Sequence, residues 1–275
     1  MRIDSHHHFW KYNKAEYGWM NDQMARIRRD FLPSDLKQEI DAAGIDGVVS
    51  VQARQTVQET QVLLDFADDN EFIKGVVGWA PLIDADLSKA LDRFKGREKL
   101  KGYRHVLHDE EDDRYMLRDD FNDGVAKLKD YGLTYDILIF EKHLPQTLQF
   151  VDRHPNQIFI VDHIAKPRIR DGLRSPWQGL MIELSHRPNI YCKVSGMATE
   201  ADWQNWTEDE LRPYFDTVLS AFGATRLMFG SDWPVCLVAV EYVRWANLVK
   251  KWVSELSADE QERLLGGSAA EAYGL

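Results

Sequence analysis

With 275 residues, 44% of them hydrophobic and including nine Trp, twelve Phe and ten Tyr, the chain can build one large buried core. Thirty-four basic residues against 45 acidic ones give a formal charge of −11, which argues against nucleic acid and anionic membranes as partners but leaves room for a local basic pocket. No run reaches the ~20 apolar residues that cross a bilayer, no secretion-type leader opens the sequence, and only Cys192 and Cys236 occur, so a soluble cytoplasmic protein with reduced thiols is expected.

The first element is "RIDSHHHFW" (2–10), whose Ile3, Phe9 and Trp10 read as a short apolar strand around three histidines. Strand side chains alternate, so Asp4, His6 and His8 are expected on one face and His7 on the other. A carboxylate and two imidazoles on one face of an apolar strand are costly unless they bind something. Seven further strands follow: "IDGVVSVQA", "FIKGVVGWAPL", "LKGYRHVL", "LTYDILIF", "IFIVDHIAKP", "IYCKVSGM" and "RLMFGSDWPV". Several are apolar throughout their first half, as strands buried on both faces are.

Amphipathic stretches lie between them. In "SDLKQEIDAAG" (34–44), Ser34 is placed to cap a helix, Leu36 and Ile40 share a face, and Gly44 ends it. "DADLSKALDRFKG" (84–96) puts Leu87, Leu91 and Phe94 on one side, and "TEDELRPYFDTVLSAFG" (207–223) repeats the pattern with Pro213 positioned to bend the helix or shift its start. Eight strands alternating with helices predict a parallel sheet with right-handed crossovers, and this number and length close a (β/α)8 TIM barrel. A doubly wound open sheet is the competing architecture, but no glycine-rich phosphate turn follows the first strand. No Pro/Gly/Ser linker divides the chain, so residues 1–275 are expected to form one domain.

Polar residues gather at the strand ends: His6 and His8, Gln52 and Arg54, Trp79, Arg104 and His105, Asp136, His163, Lys193 and Asp232. In a barrel these ends converge on the face that carries active sites. Taken singly, each has a structural alternative. His6 and His8 suit a hydrogen-bonded core, Asp232 a helix cap, and His163 a buried pair with Asp162. Arg104 would serve as a partner for the acidic run 109–113, Trp79 and Trp233 as packing, and His108 as a surface residue. Cys236 has no neighbouring base to make it a nucleophile. Only together do these residues point to chemistry.

The ordered set H-x-H at the first strand, "VDHIAKP" at the sixth and "GSDWP" at the eighth resembles the amidohydrolase superfamily. More narrowly it is similar to the amidohydrolase-2 branch, which holds sugar-lactone hydrolases of the fuconolactonase and rhamnonolactonase types and pyrone-dicarboxylate lactonase. The run "KGYRHVLHDEEDDRYML" (101–117) carries the same likeness, which extends to the closing "GGSAAEAYGL". The resemblance implies hydrolysis of a sugar-derived 1,4- or 1,5-lactone, with Asp232 as general base and Arg104 and His163 stabilising the carbonyl oxygen.

By the same resemblance His6, His8, His163 and Asp232 would hold one divalent ion, a set that suits zinc, although members of the branch also work without metal. "YRHVL" and "YDILIF" lack the bridging lysine and extra histidine of two-metal relatives, so a binuclear site is not expected. His8, Trp79, His105, Lys193 and Trp233 are the candidate substrate-binding residues, with Trp10, Trp79 and Trp233 as faces for a sugar ring. The small-molecule alternatives are the acidic aromatic substrates of metal-dependent decarboxylases and hydratases, a pyrone dicarboxylate clamped by Arg54, Arg104 and Lys193, and a sugar bound without turnover.

Overall fold

The computed structural model describes all 275 residues. Eight strands, β1 (Ile3–His7), β2 (Gly47–Val51), β3 (Ile73–Gly78), β4 (Leu100–Val106), β5 (Thr134–Leu138), β6 (Phe159–Val161), β7 (Ile190–Val194) and β8 (Leu227–Phe229), pair in parallel in that order. β8 meets β1 again through a parallel bridge between His7 and Trp233. There the His8 N–H donates to the Trp233 carbonyl at 2.7 Å and the Asp232 N–H to the His6 carbonyl at 2.8 Å. These bonds bring the first strand against the last and close the expected TIM barrel, with His6, His8 and Asp232 at the seam.

The apolar strand runs are explained by two cores. Val49, Val51, Val77, Ile160, Tyr191 and Met228 pack together with Ala269 and Tyr273 of the last helix, α10 (Ser268–Tyr273), while Val48, Val76, Tyr103, Tyr135, Phe159 and Leu227 belong to the larger core under the outer helices. Each such side chain contributes on the order of 1.5–3 kcal/mol when fully buried.

The outer helices are α1 (Pro33–Ala43), α2 (Val57–Asp69), α3 (Leu87–Asp92), α4 (Asp119–Leu128), α5 (Leu144–Asp152), α6 (Trp177–Ser185), α7 (Glu208–Phe222) and α8 (Tyr242–Val253), with the short α9 (Ala258–Glu262) before α10. Ser34 does not cap α1. Pro33 occupies the first turn and the Asp35 carboxylate accepts the Leu32 N–H at 2.8 Å, while Gly44 ends the helix at φ 61° as expected. Pro213 does not move the start of α7, where Glu210 accepts the Thr207 N–H at 2.7 Å in a capping box.

One expectation about β1 fails for a geometric reason. Asp4 pairs opposite Val48 and His7 opposite Ser50, so three steps on β1 match two on β2. This extra residue is a β-bulge, and it breaks the alternation between Asp4 and His6. Asp4 therefore faces outward, accepting from Tyr242 of α8 at 3.0 Å and from the Ser231 N–H at 2.9 Å. Burial raises its carboxyl to about 6, against the lowering by these hydrogen bonds. His6 and His8 point to the site, and His7 turns away to Ser50, 2.9 Å from its hydroxyl.

Candidate active site

The Nε2 atoms of three histidines close on one carboxylate oxygen. Asp232 Oδ1 lies 3.4 Å from His8 Nε2 and 3.8 Å from both His6 Nε2 and His163 Nε2, and the His6 and His8 nitrogens are 3.2 Å apart. Every imidazole is held from behind through Nδ1. His8 Nδ1 lies 2.8 Å from the Val51 carbonyl, His163 Nδ1 2.8 Å from Ser195 Oγ, and His6 Nδ1 3.2 Å from Asp162 and 3.1 Å from Lys193 Nζ. A carbonyl only accepts, so the His8 proton sits on Nδ1 and its Nε2 lone pair faces the gap.

The backbone is bent to aim these groups. His163, Ile164, Ala165 and Lys166 are consecutive non-glycine residues with φ between 46° and 61°, and Asp232 has φ 59°. Such left-handed residues cost of order 1 kcal/mol or more each and are held in place by their surroundings. Gly196 is one of those surroundings. A Cβ there would lie 2.8 Å from the His163 ring, and its φ of 64° disfavours a side chain independently.

Below the histidines lies a buried layer of charge. Lys193 Nζ contacts Asp136 at 2.5 Å and Asp162 at 2.9 Å, Arg104 Nη1 meets Asp162 at 2.9 Å, and the Tyr273 hydroxyl donates to Asp136 at 2.7 Å. Arg104 Nη2 also donates to the Gln52 carbonyl. Two cations balance two carboxylates. Burial raises Asp136 to about 6 against the pull of Lys193; burial acts likewise on Asp162, but Lys193, His6 and Arg104 outweigh it and leave that carboxyl well below its ordinary range.

Burial lowers His6 strongly and lowers His163 to about 4, so both are neutral near pH 7. Burial would raise Asp232, yet His163, His8 and Lys166 outweigh it and its carboxyl is lowered. The site thus gathers the neutral His6 and His163 imidazoles, the His8 Nε2 lone pair and an ionised carboxylate around one gap.

That acceptor set fits a cation. Ligands about 2.0–2.1 Å from a tetrahedral ion stand roughly 3.3 Å apart, near the separations of 3.2–3.8 Å among His6 Nε2, His8 Nε2 and Asp232 Oδ1, and the Nδ1 partners are the outer contacts that orient metal-binding imidazoles. A divalent ion would be held by His6, His8 and Asp232, whose ligand atoms all lie within 4.8 Å of one another, with His163 Nε2 beside them at 3.8 Å from Asp232.

His8, His163 and Asp232 border a cavity of about 180 Å³, lined also by Trp19, Ala53, Arg104, Val106, His108, Asp109, Leu138, Lys166 and Val235, while His6 lies buried behind them. Four expected substrate contacts fall elsewhere. On β4 the pleat sends Arg104 inward and His105 outward, where His105 meets Glu110 at 2.6 Å and stacks on Tyr115, while Trp79 donates to His105 at 3.3 Å. Lys193 is wholly buried one layer beneath His6, and Trp233 packs on Phe9 and Phe31. Trp10 is buried as well, donating to the Arg29 carbonyl. Arg54 ties Glu16 to the β2 end rather than facing the cavity.

Conversely, Trp19, His108, Asp109 and Lys166 reach the cavity without having been singled out as ligand contacts. Trp19 lies in the long loop after β1 and is 42% exposed, a large apolar ring open to the cavity. "DHIAKP" contained the signal for Lys166, three residues past His163, but only the left-handed turn brings it back.

The amidohydrolase family profile matches residues 3–275. The chain belongs to the amidohydrolase family. Among curated relatives, this amidohydrolase is 42% identical to an L-fucono-1,5-lactonase of Burkholderia multivorans, over 100% of the chain and 96% of the relative. It is 34% identical to an L-fucono-1,5-lactonase of Burkholderia ambifaria, over 99% and 95%. A crystal structure of a Burkholderia multivorans amidohydrolase with bound zinc superposes with a TM-score of 0.97 at 41% identity, covering 100% of this chain and 99% of that one. No helix of this amidohydrolase is long and apolar enough to cross a membrane.

Proposed function

We propose that this amidohydrolase hydrolyses sugar-derived lactones, with L-fucono-1,5-lactone the first candidate, to the open-chain sugar acid. The observation that carries this is the convergence of three imidazole Nε2 atoms and the Asp232 carboxylate on one gap beside a small cavity. The lactonases at 42% and 34% identity support the choice of substrate. Ester hydrolysis needs an activated water, a polarised carbonyl and a proton for the departing ring oxygen.

Asp232 is ionised and within reach of the gap, so it accepts the water proton and returns it to the ring oxygen as the C–O bond breaks. Arg104 lines the cavity with its guanidinium braced by Asp162 and Gln52 and meets the charge that grows on the carbonyl oxygen, and His163, opposite Asp232, does so through an Nε2 proton where that nitrogen holds no ion. Because their positions are fixed beforehand, little reorganisation is needed as that charge develops. His8 contacts both the substrate space and Asp232. His6, His8 and Asp232, with His163 beside them, would hold a divalent ion, zinc in our reading, which would supply Lewis-acid polarisation and a more acidic water.

The exposed face of Trp19 suits the C–H face of a sugar ring. Cys192 and Cys236 are buried free thiols, in keeping with work in a reducing cytoplasm on sugar-acid breakdown, fucose degradation included.

The test is acid release, followed with a pH indicator, over a panel of 1,4- and 1,5-aldonolactones with and without chelator and added zinc. Turnover of a sugar lactone is expected, with Asp232→Asn slower by about 10²–10⁴-fold. Release no faster than spontaneous hydrolysis from every lactone, or an unimpaired Asp232→Asn enzyme, refutes the assignment.

A further inference from the structure

The cavity holds a cation that the mechanism does not use. Lys166 Nζ makes no hydrogen bond to a protein acceptor; its one ion pair, with Glu200, is long at 3.8 Å. By contrast both Nη atoms of Arg104 are engaged, by Asp162 and by the Gln52 carbonyl. The Lys166 backbone is in the left-handed region, and its N–H donates to the His163 carbonyl at 2.8 Å, which locks it beside the catalytic imidazole. Its Nζ lies over Phe140, 5.3 Å from the ring centroid, and the same ring stacks on His108 at 4.6 Å. His108 Nε2 is 3.3 Å from Asp109 Oδ1, so the proton belongs on Nε2, and buried Nδ1 is an acceptor without a partner.

Hydrolysis changes what the cavity must accommodate. Water oxygen bonds to the carbonyl carbon, the ring C–O bond breaks, the ring oxygen keeps a proton, and the new acid loses its own proton to solvent. A neutral lactone thereby becomes an anion whose carboxylate forms beside Asp232, a like charge. Every aldonate also carries a hydroxyl on the carbon next to that carboxylate. The cavity wall offers an ammonium held only by a long ion pair for the first group, and in the neighbouring His108 a buried acceptor without a partner for the second.

We infer that Lys166 and His108 form a subsite for the 2-hydroxycarboxylate end of the sugar acid, which rests on the lactonase reading for the origin of that acid. Lys166 pairs with the carboxylate and His108 Nδ1 accepts from the 2-hydroxyl. Glu200 competes with the ligand for Lys166, and Asp109 and Asp232 are the other carboxylates on the cavity wall.

The test is calorimetric binding of L-fuconate and of its uncharged alditol, L-fucitol, to the enzyme as purified. Lys166→Met is expected to weaken L-fuconate about tenfold or more and leave L-fucitol unchanged, while Lys166→Arg stays within about threefold of the parent. Glu200→Gln frees the ammonium and tightens L-fuconate several-fold, an effect that vanishes in the double variant with Lys166→Met. His108→Phe keeps the ring stack and costs L-fuconate several-fold, but costs its 2-deoxy analogue nothing. Unchanged L-fuconate affinity in Lys166→Met, or equal losses for acid and alditol, overturns the subsite, and equal losses for the two acids in His108→Phe overturn the role of His108. If Lys166→Met does not fold, Glu200→Gln decides, and unchanged affinity there overturns the subsite too. Failure of the lactonase reading shows separately, as absence of lactone turnover in an enzyme that still binds L-fuconate through Lys166.

Discussion

Lys193 separates two accounts of the site, because from sequence it contacts substrate and in the structure it is 0% exposed. Lys193→Met keeps most of the side-chain volume and removes one of two cations in a layer with two carboxylates, leaving Asp136 and Asp162 to share Arg104 and Tyr273. Breaking a buried pair by deleting one partner costs about 3–5 kcal/mol, because the surviving charge stays desolvated. At roughly 2–4 °C per kcal/mol for a chain of this size, Tm should fall by roughly 6–20 °C.

The pH dependence has a definite sign. Without Lys193 the folded-state pKa values of the two carboxyls rise, and a raised carboxyl contributes stability that is present at low pH and lost as pH climbs through the folded value. Asp136 is already at about 6 with Lys193 in place, so the deficit should be larger at pH 8 than at pH 5.5. The assay is thermal unfolding by circular dichroism at both pH values, beside lactone kinetics. A variant that melts within about 2 °C of the parent at both and differs only in KM would refute the buried-layer account and restore the substrate contact.

Two further outcomes follow from the supports of the site. Ser195→Ala removes the Nδ1 partner of His163 and should weaken zinc binding by about 10–100-fold, read by competition with a chromophoric chelator; unchanged affinity would mean the hydroxyl does not orient the ring. Glu59, buried in the first turn of α2, is raised by burial to about 7 despite accepting the Ala53 and Arg54 N–H groups. Its folded value exceeds its unfolded one, so its stabilisation is complete below about 4.5 and is lost as pH rises to about 7, a difference of roughly 3 kcal/mol; Glu59→Gln should lack that part of the slope, and parallel stability curves for the two proteins would contradict it.

The fold was legible because two-sided burial writes strands as continuous β-branched runs, and all eight predicted runs contain the observed strands. His6, His8, His163 and Asp232 were legible because their positions at strand ends point to one rim. What failed was anything decided by a single-residue step or by depth. His105 and Arg104 are neighbours on β4, and the pleat sends only one of them inward. Asp4 would have joined His6 but for a bulge that no residue type announces. Lys193 is inward yet lies a layer too deep to meet a ligand, and depth depends on the stagger of strands that a sequence pattern does not encode. Trp19 sits in a loop, where no periodicity says which way a ring will point.

The supports of the histidines explain why the polar layer is kept inside the barrel at all. His8 is held by a carbonyl of β2, His163 by the hydroxyl that follows β7, and His6 by a carboxylate after β6 together with the ammonium of β7. No single strand fixes the four atoms around the gap; their convergence exists only when β1, β2, β6, β7 and β8 are all in register. The charged layer ties several of those strands together through hydrogen bonds that an apolar filling would not direct. An apolar replacement could match it in stability, since buried ion pairs often gain little net free energy, but would leave the His6 ring free to rotate. The layer is therefore best understood as setting angles for the imidazoles above it, with its cost in desolvation borne by the apolar plug of Val49, Ile160 and Met228 below.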